Sequence, residues 1–217
     1  MLPILVINPN STEEVTRGID RALEPLRFDG GPAIECVTLK QGPPGIETQA
    51  QADAVIAPMC ALIAEREDSA SAFIIACYSD PGLHAARETT SKPVLGIAES
   101  AMVTALTLGE RFGIISILEG SIPRHARTVR TAGLSSRFAG DVAIGVGVTE
   151  LAGNDAVLDR LINAGRRLKE DFGAAVLILG CAGMAAYRKP CEHALGVPVI
   201  DPTQAATTLA IGAAHLR

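Results

Sequence analysis

The two halves of the chain resemble each other, and this repeat restricts the possible folds more than any other feature. The segment PVLGIAESA, residues 93–101, lies 105 positions before PVIDPTQAA, residues 198–206. Cys77 lies 104 positions before Cys181, so the two spacings agree to within one residue. The openings LPILVINPNS and RFGIISILEGS can also be aligned with each other. We interpret the chain as one α/β unit used twice, which predicts two lobes related by pseudo-twofold symmetry.

Short runs rich in Ile and Val alternate with longer segments of helical periodicity, which is typical of a parallel sheet flanked by helices. Several runs are apolar throughout, as expected for strands that are covered on both faces. Ser11, followed three residues later by Glu14, predicts a capping box at the start of the first helix. We predict strands at 4–7, 34–39, 72–76, 94–97, 111–117, 141–146, 175–179 and 197–200. Further helices are predicted at 47–66, 81–90, 98–108, 122–132, 155–172 and 202–216.

Composition and charge exclude several classes of function. The net charge is −5 and no run of like charges occurs, so nucleic acid is not an expected partner. The longest apolar runs, such as residues 174–179, are too short to cross a bilayer, and no membrane partner is expected. The first residues lack a basic segment and a cleavage signal, and the five cysteines are widely spaced. We therefore expect free thiols in a cytoplasmic protein.

Two of the cysteines occupy equivalent positions, where a predicted strand gives way to a helix. Cys77 follows the apolar run FIIA, and Cys181 follows VLILG. In open parallel sheets, ligands bind beyond the carboxyl ends of the strands, where amide N–H groups and the helix dipole favour an anion. The same donors favour a thiolate over a thiol.

If the two lobes face each other, Cys77 and Cys181 approach the cleft between them from opposite sides. This arrangement suits removal of a proton from one face of a carbon and return of a proton to the other face. A thiol can act as base and as acid because its pKa lies near the working pH. Simple burial is the competing interpretation for a single cysteine, but two at equivalent strand ends favour an acid–base pair.

Five motifs, INPNST, ACYSDPG, GIAESAM, LGCAGMA and PVIDP, follow one another along nearly the whole chain. Together they resemble the aspartate/glutamate/hydantoin racemase superfamily and are most similar to its hydantoin and allantoin racemase branch. The resemblance implies two Rossmann-like lobes with the active site between them, a small-molecule substrate, no cofactor and a homo-oligomer. It also implies that the C-terminal helix returns to the first lobe. That lobe is then residues 1–97 plus 206–217 and carries Cys77, and the second lobe is residues 98–205 and carries Cys181.

The resemblance also implies a set of site residues. Carried onto this sequence, they are the acid–base thiols Cys77 and Cys181 and the substrate-binding residues Asn8, Tyr78, Ser79, Ser116, Ala182 and Gly183. One thiolate would remove the hydrogen on the α-carbon of a cyclic ureide, either a 5-substituted hydantoin or allantoin. Backbone amides would stabilise the enolate oxygen, and the opposite thiol would protonate the other face. The two thiols should titrate as a coupled unit.

Three residues depart from the pattern of the branch. Ser79 follows Tyr78 where glycine is often expected, and Arg124 and His125 stand where aryl-hydantoin enzymes lead us to expect apolar residues. The proton chemistry is unaffected by these changes. They favour a substrate with a polar ureido or acidic substituent.

Several alternatives stay open. An aspartate or glutamate racemase, a maleate-type cis–trans isomerase and an arylmalonate-type decarboxylase share this architecture, although the decarboxylase needs only one thiol. A two-lobed ligand sensor without turnover is a further possibility. Cys191 and His193 form at most a weak metal pair without a third ligand nearby, so no metal is expected. Glu99 and Asp201 follow equivalent strands and are interpreted as helix caps.

Overall fold

The computed structural model describes residues 2–151 and 155–216, without the side chain of residue 155. The described residues contain eight strands, β1 to β8 in chain order: Ile4–Asn8, Ile34–Thr38, Ala72–Ile75, Val94–Gly96, Phe112–Ser116, Phe138–Ala143, Val176–Leu179 and Val199–Ile200. They also contain nine α-helices, α1 to α9: Glu13–Leu23, Gln49–Ala54, Ile56–Arg66, Leu83–Thr89, Ile97–Leu108, Ile122–Thr131, Asp155–Glu170, Arg188–Leu195 and Pro202–His215.

The strands form two parallel four-stranded sheets with the same topology. The first sheet has the order β2-β1-β3-β4, and the second has the order β6-β5-β7-β8. Ile7 of β1 lies beside Ile75 of β3, and Ile115 of β5 lies beside Leu179 of β7. The carboxyl ends of the two central strands therefore meet at the same edge in each lobe. The prediction of an α/β protein with two pseudo-symmetric lobes is confirmed.

The strands are apolar because helices cover both faces of each sheet. On the first sheet, α3 and α4 pack against one face, and α1 and α9 pack against the other. On the second sheet, α7 and α8 cover one face, and α5 and α6 cover the other. β1, β3, β5 and β7 are buried along their whole length. Strands of this kind carry no polar alternation, which explains the continuous Ile, Val and Leu runs in the sequence.

Two helices cross between the lobes. α5 follows β4 of the first sheet but packs against β5, β7 and β8 of the second. α9 follows β8 of the second sheet but packs against β1, β3 and β4 of the first, and the two helices contact each other. The exchange ties the two lobes together. The division into residues 1–97 plus 206–217 and 98–205 stays a prediction.

The predicted capping box at the start of α1 is wrong. The N-cap residue is Thr12, which makes no side-chain hydrogen bond to the helix. Its hydroxyl donates to the carbonyl of Pro44 at 2.7 Å, and its amide donates to Asn10 Oδ1 at 3.0 Å. Glu14 forms ion pairs on the helix surface instead, with Arg17 at 2.8 Å. The loop before α1 is therefore held by hydrogen bonds to Asn10 and to the loop that contains Pro44. No local sequence pattern indicates the second contact.

Three other boundaries differ from the predictions. The helix expected at 47–66 is two helices, α2 and α3, separated at Val55, and a capping box between Thr48 and Gln51 starts the first of them. The strand expected at 141–146 lies at Phe138–Ala143. A 3-10 helix at Ala182–Tyr187 and α8 follow β7, where a helix is expected after Cys181 but without predicted bounds. Gly183 and Pro190 interrupt the helical pattern in that stretch.

Within the described part of the chain, no helix is both long and apolar enough to span a membrane.

Candidate active site

Cys77 lies two residues beyond the end of β3, in a turn fixed by two backbone hydrogen bonds. The amide of Ala76 donates to the carbonyl of Ile7 at 2.8 Å, which extends the pairing of β3 with β1 up to the cysteine. The carbonyl of Cys77 then accepts the amide of Asp80 at 2.9 Å. The chain therefore turns away from the sheet directly after the thiol, and the thiol is left at the sheet edge.

The turn at Cys181 repeats this geometry in the second lobe. The amide of Gly180 donates to the carbonyl of Ile115 at 2.8 Å, and the carbonyl of Cys181 accepts the amide of Met184 at 3.1 Å. A Cβ atom on Gly180 would lie 2.8 Å from the Ile115 carbonyl oxygen, so only glycine fits here. The two thiols are thus held by equivalent backbone structures.

Both cysteines line one narrow cleft between the lobes. The first lobe contributes Ile46 and Ser79 beside Cys77, and the second lobe contributes Val148 beside Cys181. The cleft contains about 450 Å³ of free space including its mouth, but the centre of a water molecule can reach only about 30 Å³ of it. A ligand of the size of a five-membered ring would therefore contact both walls at once.

Each sulfur accepts hydrogen bonds from the residues that follow it. The amide and hydroxyl of Ser79 donate to the sulfur of Cys77, and the amide of Gly183 donates to that of Cys181. These donors favour the thiolate, but burial acts in the opposite direction and is larger. Burial raises the pKa of Cys77 to about 11 and the pKa of Cys181 to about 12. Negative charge on Cys77 raises the pKa of Cys181 further, so one thiolate beside one thiol is favoured over two thiolates.

Asp80 connects the Cys77 turn to the first turn of α5. Its backbone is in the left-handed region with φ of 40°, which aspartate tolerates better than most residues. Its carboxylate accepts the amides of Ala98 at 2.9 Å and Glu99 at 2.8 Å, so Asp80 caps α5. Burial raises its pKa to about 7. Sequence reasoning missed this residue and expected Glu99 to be the cap, whereas Glu99 forms an ion pair with Arg87.

Asp201 follows the equivalent strand of the second lobe and caps α9, as predicted. Its carboxylate accepts the amide of Gln204 at 2.7 Å. The side chain is fully buried, and burial raises the pKa of Asp201 to about 6.

A buried polar cluster lies behind the second-lobe wall of the cleft. His125 Nδ1 is 2.8 Å from Asp141 Oδ2 and 2.9 Å from Ser116 Oγ, and the Ser116 hydroxyl also donates to Asp141. Serine and aspartate share one ring nitrogen here, which differs from a hydrolase triad, where they bind opposite nitrogens. His125 lines the cleft, whereas Ser116 is fully buried. Among the described residues, His125 Nε2 has no hydrogen-bond partner.

The sequence predicts that Asn8 binds the substrate, but in the structure two asparagines of this loop, Asn8 and Asn10, contribute to the site. Asn8 is buried, and its amide group donates to Asn10 Oδ1 at 3.0 Å and to Thr16 Oγ1 at 3.0 Å. Asn10 lines the cleft, and Asn8 lies beneath it. Contact between Asn8 and a substrate stays a prediction, and the geometry favours Asn10 for that contact. The INPN motif identifies the loop correctly but does not distinguish which of its two asparagines faces the cleft.

The structure therefore brings most of the predicted site residues together. Those on the wall of the cleft are Cys77, Tyr78, Ser79, Cys181, Ala182 and Gly183, and those behind it are Asn8 and Ser116. Within residues 2–151 and 155–216, no group of three His, Cys, Asp or Glu side chains is arranged to hold a metal. Cys191 is buried and His193 is exposed, so this pair shares no site.

Comparison with known proteins gives a consistent family. The Asp/Glu/hydantoin racemase family matches residues 4–210. The hydantoin racemase of Pseudomonas sp. (strain NS671) is 38% identical over 203 residues, covering 92% of this chain and 81% of that protein. The hydantoin racemase of Paenarthrobacter aurescens is 35% identical over 212 residues, covering 95% and 89%. The solved structure of allantoin racemase from Klebsiella pneumoniae has a TM-score of 0.92 and 32% identity, covering 100% of this chain and 89% of that one.

The match extends over nearly the whole chain, and the two-lobed fold with its central cleft agrees with it. The chain belongs to the Asp/Glu/hydantoin racemase family.

Proposed function

We propose that the protein is a cofactor-independent racemase that inverts the α-carbon of a five-membered cyclic ureide, a 5-substituted hydantoin or allantoin. The observation that carries the proposal is the pair of thiols, Cys77 and Cys181, on equivalent turns at one cleft. The hydantoin racemases and the allantoin racemase to which the chain is similar support the substrate class.

The proposed reaction moves two protons and needs no other reagent. One cysteine thiolate takes the α-hydrogen as a proton, and the C–H electron pair moves into the adjacent carbonyl to give an enolate. Amide donors stabilise the enolate oxygen. The amide of Tyr78 donates to no backbone carbonyl among the described residues, whereas that of Ser79 donates to the sulfur of Cys77. The opposite thiol then donates its proton to the other face of the carbon. The cysteines end with their protonation states exchanged, and proton exchange with solvent restores them.

The coupling of the two thiols fits this reaction. A racemase of this kind needs one base and one acid in each direction, and the roles reverse for the other enantiomer. Because charge on Cys77 disfavours charge on Cys181, the two singly ionised forms of the pair serve the two directions.

Hydrogen exchange in D₂O tests the proposal. Single enantiomers of allantoin, an alkylhydantoin and a benzylhydantoin would be incubated with the protein, and the α-hydrogen signal and optical rotation followed together against a blank without protein. Exchange with racemisation above the blank is expected for at least one ureide. Exchange of the α-hydrogen of aspartate or glutamate, without exchange of a ureide, would identify an amino-acid racemase, and conversion of maleate would identify a cis–trans isomerase. Binding without any exchange would indicate a sensor.

The quaternary structure and the cellular location are also proposals. We infer a homo-oligomer in the cytoplasm, and light scattering on the purified protein measures its mass directly. Val103 on α5 and Leu209 on α9 are exposed apolar residues on the two helices that cross between the lobes. They are the first positions to substitute if an oligomer is found.

A further inference from the structure

Arg124 lies on the wall of the cleft, in the first turn of α6. Its guanidinium donates to the carbonyl of Gly120 at 2.8 Å and to Ser121 Oγ at 3.1 Å. Its Nε atom is buried and has no hydrogen-bond partner. A buried donor that makes no hydrogen bond is rare in native proteins, because the group loses its hydration without compensation.

The charge of Arg124 is also uncompensated. In the described part of the chain no carboxylate forms an ion pair with this guanidinium, and both of its acceptors are neutral. The first turn of a helix disfavours a cation, because the positive end of the helix dipole lies there. Burial lowers the pKa of Arg124, and Arg127 on the same helix lowers it further. Charge on Cys77 raises the pKa of Arg124. In the proposed reaction, however, Cys77 gains and loses its proton, so it is not a permanent counter-ion for the guanidinium.

An arginine with these features fits a site for an acceptor that arrives with the ligand. The planar guanidinium presents several N–H groups in a fixed fork, which suits a carboxylate or a urea-type carbonyl better than an alkyl group. In the hydantoin ring the reacting carbon is bonded to one carbonyl and one ring nitrogen, and the second carbonyl lies between the two nitrogens. We expect the carbonyl next to the reacting carbon, where the enolate forms, to meet amides beyond the two cysteines. Arg124 reaches the cleft from a different element, α6, which leaves its guanidinium available for an acceptor outside the reach of those amides.

We propose that Arg124 binds an oxygen acceptor on the 5-substituent of the substrate, so that the enzyme prefers cyclic ureides with a ureido or carboxylate substituent over those with an alkyl group. This inference rests on the proposed function. Arg124 is then a specificity-determining residue, and the site takes the polar members of the substrate class.

The test compares three substrates on three proteins. Allantoin, hydantoin-5-acetate and 5-isobutylhydantoin present a ureido group, a carboxylate and an alkyl group of similar size. The proteins are wild type, Arg124→Gln and the matched control Arg130→Gln, which lies on the exposed face of the same helix. The α-hydrogen exchange rate in D₂O gives kcat/KM for each combination, and circular dichroism verifies that each variant is folded.

Arg124→Gln is expected to lower kcat/KM by about 10- to 100-fold for the two substrates with an acceptor, and by less than about 3-fold for the alkyl one. Arg130→Gln should change none of them. A similar loss on all three substrates would indicate that Arg124 acts through Cys77 or supports the fold, and it would overturn the inference. No loss on any substrate would also overturn it. If Arg124→Gln does not fold, Arg124→Lys takes its place. Lysine keeps the charge but not the fork, so the ureido substrate should lose more than the carboxylate.

Failure of the proposed function has a different signature. In that case wild-type protein exchanges no cyclic ureide, whatever its substituent, and both proposals are overturned. Exchange by wild type with equal effects of Arg124→Gln on every substituent overturns only the assignment of Arg124.

Discussion

Tyr78 and Ala182 each follow a cleft cysteine, and each packs into the hydrophobic core of the opposite lobe. Tyr78 leaves the first sheet and packs with the core of the second, where its ring meets His125 edge-on at 4.9 Å. Ala182 leaves the second sheet and packs with the core of the first. The residue after each thiol therefore anchors that thiol to the other lobe, so the separation of the cysteines depends on the packing of both cores.

The pH dependence of the reaction follows from the raised pKa values of the thiols. Burial raises the pKa of Cys77 to about 11 and the pKa of Cys181 to about 12, so near neutral pH both are mostly protonated and the base is scarce. The rate should rise with pH, approaching tenfold per pH unit, until the pair loses its first proton, and fall when it loses the second. A profile of kcat/KM corrected for the blank tests this. A rate that is flat from about pH 6 to pH 9 would contradict it.

Asp141 should be the most important member of the buried cluster for stability. Its side chain is buried and accepts hydrogen bonds from both His125 and Ser116. Asp141→Ala leaves two buried groups without their acceptor and should lower the free energy of unfolding by about 2–6 kcal/mol, because each unpaired buried group costs about 1–3 kcal/mol. Ser116→Ala removes only one neutral donor and should lower it by about 1 kcal/mol. Urea denaturation of the two variants measures both values, and equal losses would show that the cluster is not organised by the carboxylate.

Asp201 should make stability depend on pH. Its folded pKa of about 6 lies above the reference value of 3.8, so ionisation is disfavoured in the folded state. Burial of the protonated Asp201 carboxyl therefore makes a contribution to stability that is fully present below the unfolded pKa and is lost as pH rises through the folded pKa. Asn at this position keeps an acceptor for Gln204 and does not ionise. Wild type should therefore lose about 3 kcal/mol relative to Asp201→Asn between about pH 4 and pH 7. A difference that does not change with pH would contradict the assignment.

Glu47 should help to close the cleft. Its carboxylate accepts the amide of Val148 at 2.8 Å, and this bond joins a loop of the first lobe to a loop of the second. Ile46 and Val148 both line the cleft. Glu47→Ala should raise KM by about 5- to 10-fold, the effect of one hydrogen bond, whereas Glu47→Gln keeps an acceptor and should stay within about 2-fold of wild type. Equal KM values for the two variants would show that this hydrogen bond between the loops does not contribute to substrate binding.

The sequence predicts what depends on local pattern. Apolar runs mark the buried strands because strands covered on both faces need no polar residues, and the position of Cys77 and Cys181 after two such runs puts both at the strand ends. The repeat predicts that the two turns correspond. Each apolar run and the cysteine after it lie within a few residues, and the repeat appears as a constant spacing along the chain, so both can be recognised without knowing the packing.

The rest depends on contacts between distant parts of the chain. Asp141 and His125 are 16 residues apart and meet only because β6 lies under α6. The left-handed backbone of Asp80, which allows it to cap α5, has no signature beyond the turn residues around it. Asn8 and Asn10 are distinguishable only by which way the loop turns after β1. Arg124 and His125 stand out in the sequence as departures, but their burial and hydrogen bonds come from the fold.

The most direct test of the two-thiol mechanism uses the variants Cys77→Ser and Cys181→Ser. Their racemisation of each enantiomer of the best cyclic ureide substrate is measured by α-hydrogen exchange and optical rotation together. Cys60→Ser, at a half-buried thiol on α3, is the matched control. Each cleft variant should lose at least about 1,000-fold of the wild-type kcat/KM in both directions, because proton transfer then lacks its base or its acid. The control should keep the wild-type rate. Racemisation within about 10-fold of wild type by either cleft variant would contradict the two-thiol mechanism.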